Sequence, residues 1–310
     1  KLLDYFINFS YESESYYLIN LMRLEHPKML GPVVRTLKNK ENYSEGDKLF
    51  LSFLLNDEYK LEFMDIFERE KVSVERKLIL KDKYSESVRN NSISNKDLAS
   101  IFNYIYTWKI WGRNNDLNIP YYSGNGTYSK KANKILSELL DDFKKKFKVE
   151  SVLDYGCGDF NVGKMIHKSF KSYIGVDISD VIIDYNKLNN KLPNVSFYAL
   201  EDFDLNRKPL PDLILIRQVF QHLPNFQIKK ISNWIEKNFK YCITLERAPK
   251  EVSKSNLEGK SFAYDRVYNQ SIVRIHEDPI NIKGSIIDTK KIFDEETDCN
   301  YELFLYSFEN

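Results

Sequence analysis

"VESVLDYGCGDFNVGK", residues 149–164, gathers Gly156, Gly158 and Gly163 in one short stretch of a chain that has only 11 glycines in 310 residues. The run before Gly156 suits a strand, and the run after Gly158 suits a helix. Gly156 allows a tight turn off the strand. Gly158 lacks a side chain, so a ligand can approach the backbone there. Gly163 lets the following helix pack closely on the sheet. An open α/β sheet binds its ligand beyond the carboxyl ends of its strands, so these glycines mark a ligand site rather than a weak strand.

Strand-like runs continue outward from this point: "SYIGVDI" (172–178), "VSFYAL" (195–200), "DLILIR" (212–217) and "YCITLE" (241–246). Polar or amphipathic segments of helix length separate most of them. Strands alternating with helices predict a parallel sheet with helices on both faces. Upstream, Ser129 caps a predicted helix over 129–147, where Ala132, Ile135, Leu136, Leu139, Leu140, Phe143 and Phe147 form one stripe. The late runs "SIVRIH" (271–276) and "YELFLYSF" (301–308) have no long helix between them and are expected as an antiparallel edge.

Composition bounds the function. Lysine plus arginine number 46 and aspartate plus glutamate 45, so no global field attracts a polyanion, and a nucleic-acid partner is disfavoured. No apolar run approaches the roughly 20 residues of a membrane span. Residues 1–10 carry no signal-peptide pattern. Cys157, Cys242 and Cys299 are widely spaced and odd in number, which suits a reducing, cytoplasmic setting and no metal site. The polar stretch 85–97 divides the chain. Residues 1–95 read as a mainly helical region that packs, binds a partner or links to a larger polypeptide or oligomer. Residues 96–310 hold the alternating pattern.

Asp177 follows the first glycine by about 20 residues, where a carboxylate can accept hydrogen bonds from two ribose hydroxyls. Glu201 and Asp202 follow the next strand, where a carboxylate can meet an adenine amino group. Phe160 and Asn161 stand where a dinucleotide motif would place its third glycine, which disfavours a nicotinamide enzyme.

These residues resemble the class I S-adenosylmethionine-dependent methyltransferases: "VLDYGCGDF", "IGVDIS", "ALEDF" and "PDLILIRQVFQHL" are similar to four successive motifs of that family. Trp111-Gly112 and Ser123-Gly124-Asn125-Gly126-Thr127 further resemble an upstream segment of bacterial-type, glycan-associated methyltransferases. The resemblance implies a Rossmann-like α/β fold, with a mostly parallel seven-stranded sheet, behind the helical N-terminal region. It implies S-adenosylmethionine as cofactor, held by Asp154, Gly156, Cys157, Gly158, Asp177, Ile178, Glu201, Asp202 and Arg217, with Gly124 and Thr127 near its carboxylate. His222 and Glu246 are the candidate proton acceptors, since a hydroxyl nucleophile must lose its proton. Gln218, Arg247 and Tyr122 are the candidate substrate contacts. The expected reaction is methylation of a sugar hydroxyl on a glycan or polysaccharide. The alternatives are a non-catalytic, cofactor-binding subunit of a larger glycan-modifying assembly, or a methyltransferase for small molecules or proteins. "IRQV" replaces the Asn/Asp-Pro-Pro-Tyr segment of amino-directed DNA methyltransferases, which disfavours that class.

Overall fold

The computed structural model describes residues 79–107, 109–112, 120–295 and 298–309. The helical character expected for residues 1–78 therefore lies outside the described residues. The first described residues, 79–90, are helical. There follow α1 (Asn95–Thr107), α2 (Lys130–Phe147), β1 (Ser151–Tyr155), α3 (Gly163–Ile166), β2 (Ser172–Asp177), α4 (Asp180–Asn189) and β3 (Val195–Ala199). Then come β4 (Leu213–Arg217), α5 (Asn225–Asn238), β5 (Tyr241–Ala248), β6 (Ser285–Asp294) and β7 (Cys299–Ser307).

The strands form one seven-stranded sheet in the order β3-β2-β1-β4-β5-β7-β6. The first five pair in parallel, and β7 runs antiparallel to both β5 and β6. Successive strand residues face opposite sides of a sheet, and the two cores record that alternation. Leu153, Ile174, Val176, Ile214, Ile216 and Cys242 join α1 and α5 on one face. Val152, Tyr173, Leu213, Leu215, Ile243 and Leu245 join α2 and α4 on the other. Both faces are covered, which is why these strands read as nearly continuous apolar runs.

Local chemistry sets the helix starts, at Ser129 as expected and at Ser179. Ser129 accepts the Ala132 N–H at 3.1 Å to begin α2, and Ser179 accepts the Ile182 N–H at 3.4 Å to begin α4. Chain order departs to one side of β1 through β2 and β3, then returns to β4 on its other side. The carboxyl ends of β1 and β4 therefore open a crevice at the switch point.

The antiparallel edge differs from expectation. Residues 271–276 form no strand, because Ile272, Val273 and Ile275 are all buried in a connection that turns into the core. β6 begins at Ser285 instead. Its polar, half-exposed pattern, with a register shift between Ile286 and Asp288, gives little periodic signal.

The long connection between β5 and β6 is fixed by buried polar groups. Arg266 is fully buried, and its guanidinium donates to Asn225 Oδ1 at 2.7 Å and to the Leu257 and Leu223 carbonyls. Glu258 accepts from Tyr84 Oη at 2.9 Å and from the Asn225 N–H at 3.1 Å. Tyr84 and Leu80 thereby seat helical residues 79–90 in the same core as α1.

Gly163 is a packing requirement: a Cβ there would come within 2.1 Å of the Phe160 ring and 2.6 Å of Tyr173 Oη. Gly163→Ala is expected to lower stability by about 1–3 kcal/mol through overpacking. Urea denaturation checks it, and a midpoint equal to wild type would contradict it.

Candidate functional site

β1 ends in a loop that is held first by backbone bonds. The Gly156 and Cys157 N–H groups both donate to the Val176 carbonyl, at 2.7 and 3.1 Å. Gly156 sits at φ +84° and Gly158 at φ +55°, both left-handed. A Cβ at Gly156 would meet Val219 Cγ2 at 2.2 Å, and one at Gly158 would meet Ser123 Oγ at 2.6 Å.

Asp177, at the end of β2, accepts the Gly158 N–H at 3.0 Å on one oxygen and the Ser179 N–H at 3.0 Å on the other. Burial pushes its carboxyl up to about 6, against the pull of those two N–H groups. Ser179, not Asp177, caps α4, so the carboxylate is not used up as a helix cap.

The upstream segment closes over this loop. Ser123 and Asp159 exchange bonds: the Ser123 N–H donates to Asp159 Oδ2 at 3.1 Å, and the Asp159 N–H donates to Ser123 Oγ at 2.9 Å. Tyr128 Oη also donates to Asp159, at 2.9 Å. Asn161 and Asn133 both donate to the Thr127 carbonyl, at 3.1 and 2.9 Å. A Cβ on Gly126 would strike Gln218 Oε1 at 2.0 Å, so the end of β4 packs directly on this segment.

Arg217 ends β4. Its Nη2 donates to Thr127 Oγ1 at 3.1 Å, while Nη1 is buried with no hydrogen-bond partner. Gln218 follows at φ +54°, and its Nε2 also lacks a partner. Behind them Asp154 accepts from Tyr173 Oη. Burial pushes Asp154 up to about 6, with that bond and the Arg217 charge opposing.

A cavity of about 290 Å³ runs from this corner to a second group of side chains. Its near wall holds Gly156, Gly158, Asp177, Ile178, Gly124, Thr127, Arg217 and Gln218. Its far wall holds Trp111, His222, Arg247, Tyr264, Asp265 and Tyr268. Trp111 donates to the Ala263 carbonyl at 2.9 Å, and its ring lies 5.0 Å from the His222 ring. Arg247 pairs with Asp265 at 2.9 Å.

Several expected residues sit elsewhere. Glu246 is off the cavity wall. It accepts the Val219, Phe220 and Gln221 N–H groups at 3.3, 3.1 and 3.2 Å, which ties β5 to the turn after β4. Burial pushes it up to about 8, although those N–H groups favour its ionised form. Tyr122 is buried, stacks on Tyr128 at 5.0 Å and donates to Asn125. Cys157 and Asp154 lie behind the loop. Glu201 and Asp202 are exposed and off the wall, where Leu200 stands instead. His222 does reach the cavity. Burial first, then the Arg266 charge, holds its imidazole neutral, down to about 3.

Asp159 and Asp265 were not among the sequence candidates. Asp159 falls inside "GCGDF" and could have been flagged as the loop's own carboxylate. Asp265 lies in a connection without periodicity, and no local signal marks it.

Residues 128–272, a little under half of the chain, match the family model described as a methyltransferase domain. That stretch holds β1 to β5 and begins just after Thr127, so the upstream segment lies outside it. No curated protein matches. Among solved structures, the chain is similar to the N-methyltransferase NodS from Bradyrhizobium japonicum, with S-adenosylhomocysteine bound: 12% identity, 62% of this chain, 93% of that chain and a TM-score of 0.47. It is similar to a S-adenosylmethionine-dependent methyltransferase from Clostridium acetobutylicum, at 14% identity, 57% and 92% coverage and a TM-score of 0.40. It is also similar to the [4+2]-cyclase SpnF, at 11% identity, 70% and 97% coverage and a TM-score of 0.43.

Glu246→Gln sets an amide NH₂ against backbone N–H donors. It is expected to cost about 1–3 kcal/mol of stability, read by thermal denaturation. An unchanged transition would show that the carboxylate does not hold this turn.

Proposed function

We propose that the chain is a class I S-adenosylmethionine-dependent methyltransferase whose acceptor is a sugar hydroxyl. One observation carries the reading. A single cavity joins a glycine loop and a ribose-type carboxylate at one end to an aromatic and charged wall at the other. The residues at the first end fit the cofactor chemically. Asp177 can accept from ribose hydroxyls. The unpartnered Arg217 Nη1 and Gln218 Nε2 are donors suited to its carboxylate. The loop glycines let Val219 and Ser123 pack close against the loop, and Gly156 and Gly158 line the cavity.

S-adenosylmethionine supplies an activated methyl group on a sulfonium. The protein's part is to align the acceptor, exclude water and receive a proton. Trp111, Tyr264 and Tyr268 offer ring faces, and the Arg247–Asp265 pair offers a donor beside an acceptor. That combination suits a ring carrying neighbouring hydroxyls. No helix among the described residues is long and apolar enough to cross a membrane.

The test is calorimetric titration with S-adenosylhomocysteine. Wild type is expected to bind, and Asp177→Ala is expected to weaken binding about 10-fold or more, since hydrogen bonds to a charged group are lost. No binding by wild type would sink the reading.

The same titration carries a pH sign. The carboxylate must be ionised to accept from hydroxyls, and Asp177 titrates at about 6. Binding is therefore half present at about pH 6, fully present well above it, and lost as pH falls below it. The dissociation constant at pH 5 is expected to be about 10-fold higher than at pH 8, because only a minor fraction is then competent. A flat profile over that range would remove Asp177 from the ligand's contacts.

A further inference from the structure

We propose that Asp265 takes the acceptor hydroxyl's proton during methyl transfer, held in place by Arg247. The assignment rests on the methyltransferase reading above and adds the proton acceptor that reading needs.

Two carboxylates line the cavity among the described residues, Asp177 and Asp265. Both oxygens of Asp177 already accept N–H groups, from Gly158 of the glycine loop and from Ser179 at the start of α4. Asp265 differs. Its side chain is 7% exposed, Oδ2 is fixed by Arg247 Nη1 at 2.9 Å, and Oδ1 is buried without a hydrogen-bond partner. A buried carboxylate oxygen left unsatisfied costs stability and calls for a ligand donor. Arg247 repeats the pattern, with Nε buried and unpartnered. An acceptor that gives a hydroxyl hydrogen to Oδ1 and takes a hydrogen bond from Nε would satisfy both. Asp265 stands at the start of the short helix Arg266–Asn269 and meets the Val267 N–H there, while Oδ1 keeps no hydrogen-bond partner.

The other candidates are committed elsewhere. Glu246 is off the wall beneath three N–H donors. His222 has too little proton affinity in its buried, cation-flanked setting. Burial raises the Asp265 carboxyl above its ordinary value, with Arg247 opposing, which strengthens it as a base.

The step balances. The acceptor oxygen bonds to the methyl carbon as the carbon–sulfur bond breaks, and that bond's electron pair stays on sulfur. The hydroxyl proton passes to Asp265 Oδ1 and leaves to solvent after product release.

The experiment offers methyl-labelled S-adenosylmethionine and a panel of hexoses, 6-deoxyhexoses and their methyl glycosides to wild type, Asp265→Asn and Asp265→Glu. S-adenosylhomocysteine titration and saturation-transfer NMR of the sugar accompany each variant. Asp265→Asn is expected to lower kcat about 100-fold or more, with KM within about 3-fold. Its S-adenosylhomocysteine affinity and sugar NMR contacts are expected to remain, and Asp265→Glu to recover part of the rate. Transfer by Asp265→Asn within about 3-fold of wild type would overturn the assignment and leave the methyltransferase reading standing. Loss of S-adenosylhomocysteine binding in both variants would make Asp265 structural and overturn it too. If wild type binds S-adenosylhomocysteine but methylates no sugar, the acceptor class and this assignment fall together. If wild type does not bind it, the cofactor reading falls first.

Discussion

The exchange of hydrogen bonds between Ser123 and Asp159 is the constraint on which the site depends. Each residue gives its backbone N–H to the other's side chain. These bonds lay a segment from before the sheet across the loop that leaves β1. Gly158 must lack a Cβ because Ser123 occupies that space. Thr127 is then placed to receive Arg217, and Gly126 to receive Gln218. The near end of the cavity is therefore built from three stretches that are distant in sequence. Cross-links between these stretches favour a fixed geometry, which matters for a site that must orient a ligand.

Charge is arranged along the cavity rather than spread through it. Asp177 and Arg217 stand at the glycine end, and Arg247 and Asp265 stand at the other. Each end presents one acceptor and one donor to a ligand. Behind the walls, further charges do structural work: Asp154 with Tyr173, Glu246 with the turn after β4, and Arg266 with two segments of chain. Their burial makes them costly unless paired, and most of their polar atoms are paired. The cavity-lining residues Arg217, Gln218, His222, Arg247 and Asp265 each keep one buried polar atom without a partner.

Much of this was legible in the sequence. The five parallel strands announced themselves because both sheet faces are covered and the runs are apolar throughout. Gly156, Gly158 and Asp177 were legible because a tight turn and a carboxylate at fixed spacing leave a local signature. β6 was not legible, since an exposed edge strand has neither alternation nor continuous hydrophobicity. Asp265 was not legible either, because its meaning comes from Arg247 and a cavity wall that only the fold brings to it.

Glu246 and His222 show where reading by position fails. Glu246 lies within β5, and His222 in the turn after β4. Position says that a side chain is near the chemistry but not which way its polar atoms are spent. Glu246 spends its oxygens on three N–H groups of a turn, since the first turn of a short helix has no internal partners. His222 lies against Trp111 and near two arginines, which leaves it a neutral ring suited to packing and hydrogen bonding. A carboxylate with an oxygen not so spent must then be sought on the facing wall. There the long β5–β6 connection, pinned by Arg266, brings Asp265 beside Arg247 on the cavity wall.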